Sequence, residues 1–217
     1  ALSDTGIDRP FSDMERQKLL ALGPDMTLDK LERVKEIEST IRHDVKSMER
    51  AFREFVGGSS LEDVTEMIHF GLTSEDVNNL SYRLMLQRAV NQLCIPVLDQ
   101  VVDGIVERAD KYKEVPILAR THGQPAVPTT LGKELVVFAS RLNGQIRKLE
   151  EMRLTGKLNG AVGDYNALVL AYPGVDWIAF SKKFVKSLDL EPNLITTQIN
   201  PYEDMIEMFQ ILQRING

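Results

Sequence analysis

EDVNNLSYRLMLQRAVNQLCIPVLDQVVDGIVERAD, residues 75–110, is one long helical pattern and decides the fold. Its apolar residues recur every three or four positions, as on the buried side of an α-helix. They spread over more than one face, so we expect several neighbouring elements to cover this helix. Pro96 should kink or interrupt it, because proline lacks an N–H group and its ring clashes with the preceding turn.

Similar patterns lie on both sides of this stretch. One long amphipathic helix is predicted from residue 28 to the glycines at 57–58, and another at about 129–155. Shorter helices are predicted at 174–188 and 201–215. Strands do not alternate with these helices in the pattern, so we predict an all-α fold, a bundle of long helices. Apolar stripes on consecutive helices need partners, and a homo-oligomer is the simplest source of them.

Composition narrows the function classes. Lysine and arginine number 26 against 32 aspartates and glutamates, a net charge of −6, which argues against a nucleic-acid or acidic-membrane partner. The single cysteine, Cys94, excludes an internal disulfide and indicates a reducing, cytoplasmic compartment. Metal-ligand spacings and glycine-rich nucleotide loops are missing from the sequence, so we predict neither a metal nor a cofactor. We also expect no membrane-spanning segment and no signal peptide.

The stretch IHFGLTSEDVNN, residues 68–79, contains a predicted helix start. Thr73 with Asp76 fits a capping pattern, and Ser74 lies beside them. An ordinary N-cap explains this spacing. The same free N–H groups and two hydroxyls would also suit a bound carboxylate or phosphate. The spacing alone leaves both readings open.

The stretch ARTHGQPAVPTT, residues 119–130, displays a histidine on a stiff connector. Pro125 and Pro128 restrict the residues before them to extended shapes, and Gly123 permits a tight turn. His122 is therefore held away from any helix face, where an imidazole can act as an acid or a base. A surface histidine in a proline-rich turn is the alternative.

The stretch TIRHDVKS, residues 40–47, falls inside the first predicted helix. Helical spacing puts Asp44 beside the apolar stripe, where a carboxylate needs a partner. His43 falls among the polar positions, so periodicity alone predicts an ordinary solvated histidine.

Five stretches together resemble the adenylosuccinate lyase family of the fumarase and aspartase superfamily, in order and in spacing. They are RHDVK, IHFGLTSEDVNN, ARTHGQPAVPTTLGKE, GAVGDYNALVLAYPGVDW and LITTQI. The resemblance implies a long-helix bundle and a C–N lyase reaction that eliminates fumarate. Its substrates would be adenylosuccinate, giving AMP, and the succinyl-carboxamide ribotide SAICAR, giving AICAR. It also implies a homotetramer whose active sites are shared between subunits.

The resemblance also implies roles for particular residues. His122 would give a proton to the leaving nitrogen, while Thr73 and Ser74 would hold a succinyl carboxylate. The other implied substrate contacts are Arg42, His43 and Asp44 on the nucleotide part, His69 lining the pocket, and Gln198. All three histidines would then belong to one site.

The chain also departs from the family. Asp164 and Leu168 stand where members usually have asparagine and histidine. The family's catalytic serine, on a glycine- and serine-rich loop, would lie beyond residue 217. We therefore expect a partial N-terminal helical domain at 1–73 and a partial central bundle domain at 74–217, without the C-terminal domain, and an inactive piece when alone. Two alternatives are a non-catalytic helical scaffold for oligomerisation and a sister lyase acting on argininosuccinate.

Overall fold

A computed structural model describes residues 2–217, apart from the side chain of Asp4, and this part of the chain is mostly helical. The α-helices are α1 Asp13–Ala21, α2 Leu28–Ile41, α3 Asp44–Val56, α4 Ser74–Ala89, α5 Ile95–Lys111, α6 Leu131–Glu151, α7 Asn166–Ala171, α8 Trp177–Ser187 and α9 Glu203–Asn216. The strands are β1 Pro116–Thr121, β2 Gln124–Thr130, β3 Thr155–Gly156 and β4 Glu191–Pro192. Short 3₁₀ helices span Leu2–Thr5 and Glu62–Met67. The all-α prediction is confirmed as a fold class, and two small sheets add to it.

The single helix predicted from residue 28 to 57 is wrong, because the chain breaks between α2 and α3. Arg42 adopts a left-handed backbone with φ 54°, and its N–H donates to the Glu38 carbonyl, which closes α2. His43 is extended and begins α3 as its N-cap. The apolar repeat continues across the break, which explains why periodicity did not reveal it. Asp44 consequently stands at a helix start with an exposed side chain, and not beside the buried stripe as predicted.

The long helix predicted at 75–110 is observed as α4 and α5, joined by a π-helical turn at Val90–Cys94. The Ile95 N–H donates to the carbonyl of Val90, five residues back, where an α-helix would use four. Pro96 follows directly. Its missing N–H and its ring disfavour a regular turn, so the widened turn is the interruption that the proline predicts.

The continuous helical stretch Ser74–Lys111 is long and apolar enough to cross a membrane by length and composition alone. This corrects the expectation that no segment reaches that length. A single such helix is weak evidence for a membrane span, because helices of soluble proteins pass the same test. Within the chain, 11% of its most apolar window is buried.

The stiff connector around His122 is a β-hairpin that the sequence pattern did not predict. β1 and β2 pair antiparallel, with Thr121 opposite Gln124, so His122 and Gly123 form a two-residue loop. Their φ angles are 52° and 74°. Positive φ at both loop positions is the conformation that matches the twist of paired strands. β3 and β4 form a second, parallel pair of two residues each.

Contacts within the chain define two compact units. The first contains Ala1–Ser81 and Thr155–Asn200, and the second contains Tyr82–Leu154 and Pro201–Gly217. The boundary predicted after residue 73 concerns the larger protein and stays a prediction.

The first unit holds two apolar clusters. In one, Val34 and Ile37 of α2 pack against Ala51 of α3. In the other, Leu168 of α7 and Trp177 of α8 pack with Tyr165. Ile41, just before the start of α3, packs against the first cluster, and Phe70, just before the start of α4, packs against the second.

In the second unit, α5 packs along α6 with close backbone contact. Gly132, at the start of α6, donates its N–H to the Tyr112 carbonyl at 3.0 Å. A β-carbon at Gly132 would lie 2.3 Å from the Ala109 carbonyl oxygen, so only glycine permits this approach. The other sides of these helices expose apolar residues, namely Val97, Val101, Val106, Val136 and Phe138, and Leu93 of the π-helical turn before α5 is exposed as well.

Candidate active site

The start of α4 presents Thr73 and Ser74 at a helix N-terminus, as the sequence predicted. The preceding turn needs left-handed backbone at two positions, His69 and Gly71, each with φ 66°. The Thr73 N–H donates to Asp76 Oδ2 at 3.0 Å, which orders the first turn. The remaining N–H groups and the hydroxyls of Thr73 and Ser74 form an environment suited to an anion.

His43 and Ser74 are brought together although 31 residues separate them. The Lys46 N–H donates to His43 Nδ1 at 3.3 Å, which makes His43 the side-chain cap of α3. A neutral His43 ring therefore carries its proton on Nε2, which lies 3.3 Å from Ser74 Oγ. Sequence periodicity predicted a solvated histidine. The half-exposed ring is in fact bonded at both nitrogens.

Arg42 and Asp44 flank this histidine at the break between α2 and α3. Both side chains are exposed, and Asp44 Oδ1 accepts from the Val45 N–H at 2.7 Å. The same oxygen lies 3.4 Å from His43 Nδ1. Of the predicted run Arg42–Asp44, the imidazole of His43 contacts Ser74, and the exposed side chains of Arg42 and Asp44 belong to its two neighbours in sequence.

His69 lines a cavity of about 620 Å³ in the first unit. Apolar side chains of α2 and α3, among them Val34, Met48 and Phe52, form much of its wall, and Asp44 also contributes. Burial lowers the pKa of His69, and the carboxylate of Glu49 opposes that effect in part. The imidazole is consequently neutral near neutral pH and can accept or donate a hydrogen bond.

Gln198 is placed by a buried contact of its backbone, while its side chain is exposed. Its carbonyl accepts from Lys157 Nζ at 2.7 Å. Lys157 also meets Asp76 Oδ1 at 3.0 Å, and both side chains are fully buried. The sequence pattern predicts a capping role for Asp76 and does not indicate a role for Lys157. A lysine between a glycine and a leucine, Gly156 and Leu158, gives little sign of burial.

His122 lies at the tip of the β1–β2 hairpin in the second unit and is exposed. Arg120 Nη1 donates to the Gly123 carbonyl at 3.1 Å and braces the loop. The prediction that His122 stands clear of any helix face agrees with this placement. The sharing of one site by His43, His69 and His122 stays a prediction.

The two departures from the family pattern have clear structural surroundings. Asp164 Oδ1 accepts from the Asn166 N–H at 3.1 Å, next to α7. Leu168 is 3% exposed and packs in the cluster of Tyr165 and Trp177. Position 168 is therefore part of the apolar core in this protein.

Among residues 2–217, histidine, cysteine, aspartate and glutamate side chains form no group of three that could hold a metal ion.

Comparison with known proteins gives consistent matches. The chain is 48% identical over 185 residues to adenylosuccinate lyase of Escherichia coli K12, covering 85% of the chain and 41% of that protein. It is 43% identical to adenylosuccinate lyase of Haemophilus influenzae, covering 95% and 46%. With adenylosuccinate lyase of Legionella pneumophila, strain Corby, the identity is 42% over 100% of the chain and 48% of that protein. The chain thus spans under half the length of these relatives.

Solved structures share the fold. The crystal structure of a fumarate lyase from Mesorhizobium sp. BNC1 superposes with a TM-score of 0.78 at 19% identity, covering 100% of this chain and 48% of that one. That of β-carboxy-cis,cis-muconate cycloisomerase from Acinetobacter calcoaceticus gives 0.72 at 18%, covering 98% and 48%. A family model described as Lyase matches residues 16–217. The chain belongs to this lyase family.

Proposed function

We propose that the protein containing this chain eliminates fumarate from adenylosuccinate, giving AMP, and from SAICAR, giving AICAR. The observation that carries the proposal is the pairing of His43 with Ser74 at the start of α4, in a chain 42–48% identical to adenylosuccinate lyases. A nucleotide substrate follows from that relationship.

Thr73 and Ser74 bind a succinyl carboxylate in this proposal. The elimination builds negative charge on the carboxylate next to the deprotonated carbon. Fixed N–H groups and hydroxyls that favour this charge more in the transition state than in the ground state lower the barrier. Because His43 Nδ1 accepts from the Lys46 N–H, a neutral His43 ring would donate from Nε2 to Ser74 Oγ, which leaves the serine hydroxyl hydrogen free to point at the substrate.

Arg42, His43 and Asp44 contact the nucleotide part, and His69 lines the pocket as a neutral imidazole. Gln198 contacts the substrate from the segment after β4. These five residues all belong to the first unit. The Arg42 guanidinium suits a phosphate or carboxylate because it presents several donors in one plane.

His122 is the general acid that protonates the leaving nitrogen. Protonation avoids the expulsion of an unstable nitrogen anion, and an imidazole can supply the proton near neutral pH. The hairpin tip and the Arg120 brace hold its ring on a defined loop. The base that removes the proton from the succinyl carbon is proposed to come from the remainder of the protein, since the chain spans under half of its relatives.

The protein is proposed to be a cytoplasmic homotetramer with sites shared between subunits. The exposed apolar residues on α5 and α6 support this, because a water-exposed patch of this kind usually marks a protein interface. Native mass spectrometry of the full-length protein would give the subunit number. A monomer at working concentration would contradict the proposal.

The test is fumarate release by the full-length gene product, by the 217-residue chain and by two variants of the full-length protein. We expect the full-length protein to be active and the 217-residue chain to be inactive. His122→Ala should lower kcat by about 10²–10⁴-fold, the usual contribution of a general acid. The control is Glu114→Ala, an exposed residue just before the same hairpin, which should retain activity.

Other outcomes distinguish the alternatives. Unchanged kcat in His122→Ala would refute the role of His122. Absence of activity with adenylosuccinate and SAICAR would favour the non-catalytic scaffold. Turnover of argininosuccinate in preference to both would identify the sister lyase.

A further inference from the structure

A fully buried ion pair lies behind the proposed substrate-binding residues and has no part in the proposed chemistry. Lys157 Nζ lies 3.0 Å from Asp76 Oδ1, and each side chain is 0% exposed. Ionised side chains are rarely buried to this extent, because removing both charges from water costs more than an apolar pair of the same size would. The pair therefore contributes something other than simple stability.

The Lys157 ammonium group has three N–H donors, and all three have an acceptor. Besides Asp76, it donates to the Gly160 carbonyl at 2.9 Å and to the Gln198 carbonyl at 2.7 Å. A donor set that is completely satisfied defines one position for the head group. Gln198 is therefore tied directly to the buried lysine.

The Asp76 carboxylate makes the connection to the other substrate-binding segment. Oδ2 accepts from the Thr73 N–H at 3.0 Å and from the Gly160 N–H at 3.1 Å. Oδ1 accepts from the Asn159 N–H at 3.1 Å in addition to Lys157. The side chains of Asp76 and Lys157 thus form a continuous series of hydrogen bonds from the Thr73–Ser74 turn to the Gln198 segment.

The backbone of Lys157 is fixed independently of its head group. Asn79 Oδ1 accepts from the Lys157 N–H at 2.9 Å, and Asn79 Nδ2 donates to the Lys157 carbonyl at 3.1 Å. Asn79 is fully buried on α4, one turn after Asp76. Both ends of the lysine side chain are therefore held by the same helix that carries Ser74.

We propose that Asp76 and Lys157 are positioning residues that set the separation between the Thr73–Ser74 turn and Gln198. This rests on the proposed function, in which those two segments hold one substrate. A shift of about 1 Å between binding groups can cost 10²-fold in rate. The pair keeps the separation constant by tying both segments to one rigid buried link.

The first experiment does not depend on activity. Hydrogen exchange is measured on the full-length protein and on Lys157→Met, Asp76→Asn and Arg83→Met. The last is the control, since it breaks the buried pair of Arg83 with Asp204 in the second unit. Exchange at Thr73 and Gly160 should rise by roughly tenfold or more in the first two variants. In Asp76→Asn their N–H groups lose a charged acceptor, and in Lys157→Met the Asp76 carboxylate that accepts from them loses the cation that holds it in place. Exchange at these two positions should not rise in the control.

The second experiment measures kinetic coupling to Ser74. Lys157→Met should lower kcat for fumarate release by about 10²-fold in the wild-type background. In a Ser74→Ala background, Lys157→Met should lower kcat by less than about threefold. The Ser74 hydroxyl is already absent there, so its displacement can cost nothing further. The control Arg83→Met should have the same effect in both backgrounds, as a purely structural change would.

The outcomes separate this proposal from the proposed function. Wild-type exchange at Thr73 and Gly160 in the variants would overturn the positioning role, whatever the activity. Equal effects of Lys157→Met in both Ser74 backgrounds would also overturn it. A full-length protein with no lyase activity would overturn the proposed function, and exchange would still decide whether the link holds the two segments. Asp76→Asn keeps the side-chain shape and decides the matter if Lys157→Met does not fold.

Discussion

Alanine at Gly163 should destabilise the protein far more than alanine at Gly160, although the two glycines have nearly the same φ angle. Their φ angles are 83° and 84° in the same loop. Both substitutions place a side chain in the left-handed region, at a cost of about 1–2 kcal/mol. The reduced freedom of the unfolded chain offsets about 0.4–1 kcal/mol of this in both. Gly160→Ala is thus a matched control for backbone strain.

The difference between the two sites is steric. A β-carbon at Gly163 would lie 2.1 Å from the Thr196 carbonyl oxygen, where real contacts are not shorter than 3.0 Å, so the two must separate by at least the 0.9 Å difference. At Gly160 the nearest atom is 3.9 Å away. Forcing backbone apart in a packed loop costs about 1–3 kcal/mol.

Moving Thr196 also strains its hydrogen bonds to Asn159. Asn159 Nδ2 donates to Thr196 Oγ1 at 2.8 Å, and loss of such a bond costs about 1 kcal/mol. Gly163→Ala should therefore cost about 3 kcal/mol more than Gly160→Ala, which lowers the melting temperature by about 6–12 °C relative to that control. Urea unfolding monitored by circular dichroism measures the free-energy difference, and calorimetry measures the difference in melting temperature. Equal midpoints for the two variants would refute the steric reasoning.

Three further predictions concern the first unit. His43→Ala should lower the free energy of unfolding by about 1 kcal/mol, because α3 loses its N-cap, and urea titration checks this. Burial lowers the pKa of His69 below its unfolded value of 6.5, so its contribution to stability is present above that pH and is lost as pH falls through the lowered pKa. His69→Gln should flatten this part of the curve of unfolding free energy against pH. Leu168→Ala should cost about 2–5 kcal/mol, as a buried leucine does, and a smaller loss in denaturant unfolding would show that the core tolerates the cavity.

Helix periodicity predicted much of the fold, since the stripes on α4, α5 and α6 follow the heptad-like spacing of the sequence. It could not show the break between α2 and α3. There, one left-handed residue, Arg42, ends a helix without a glycine or proline to mark the place. Periodicity reports which face is buried, and the same face continues after the break.

The candidate site was predictable where chemistry is local. The Thr73 and Ser74 helix start and the displayed loop of His122 follow from spacing and from turn residues. The contact between His43 and Ser74 requires two distant segments to meet, so it could be expected only from the family resemblance. The burial of Lys157 depends on acceptors from residues 76, 160 and 198 together. A pattern within one window cannot contain that information.

The chain leaves the first unit after Ser81 and returns to it at Thr155. The points at which the chain leaves and re-enters the first unit lie side by side, because Asn79, just before the first point, and Lys157, just after the second, are joined by two hydrogen bonds. A segment whose two ends lie next to each other can change in length without moving the unit from which it leaves. Whole turns could therefore be added to or removed from the α5–α6 pair during evolution while the Thr73–Ser74 turn kept its shape. A truncation at residue 81, by contrast, would remove Thr155–Asn200, about a third of the first unit.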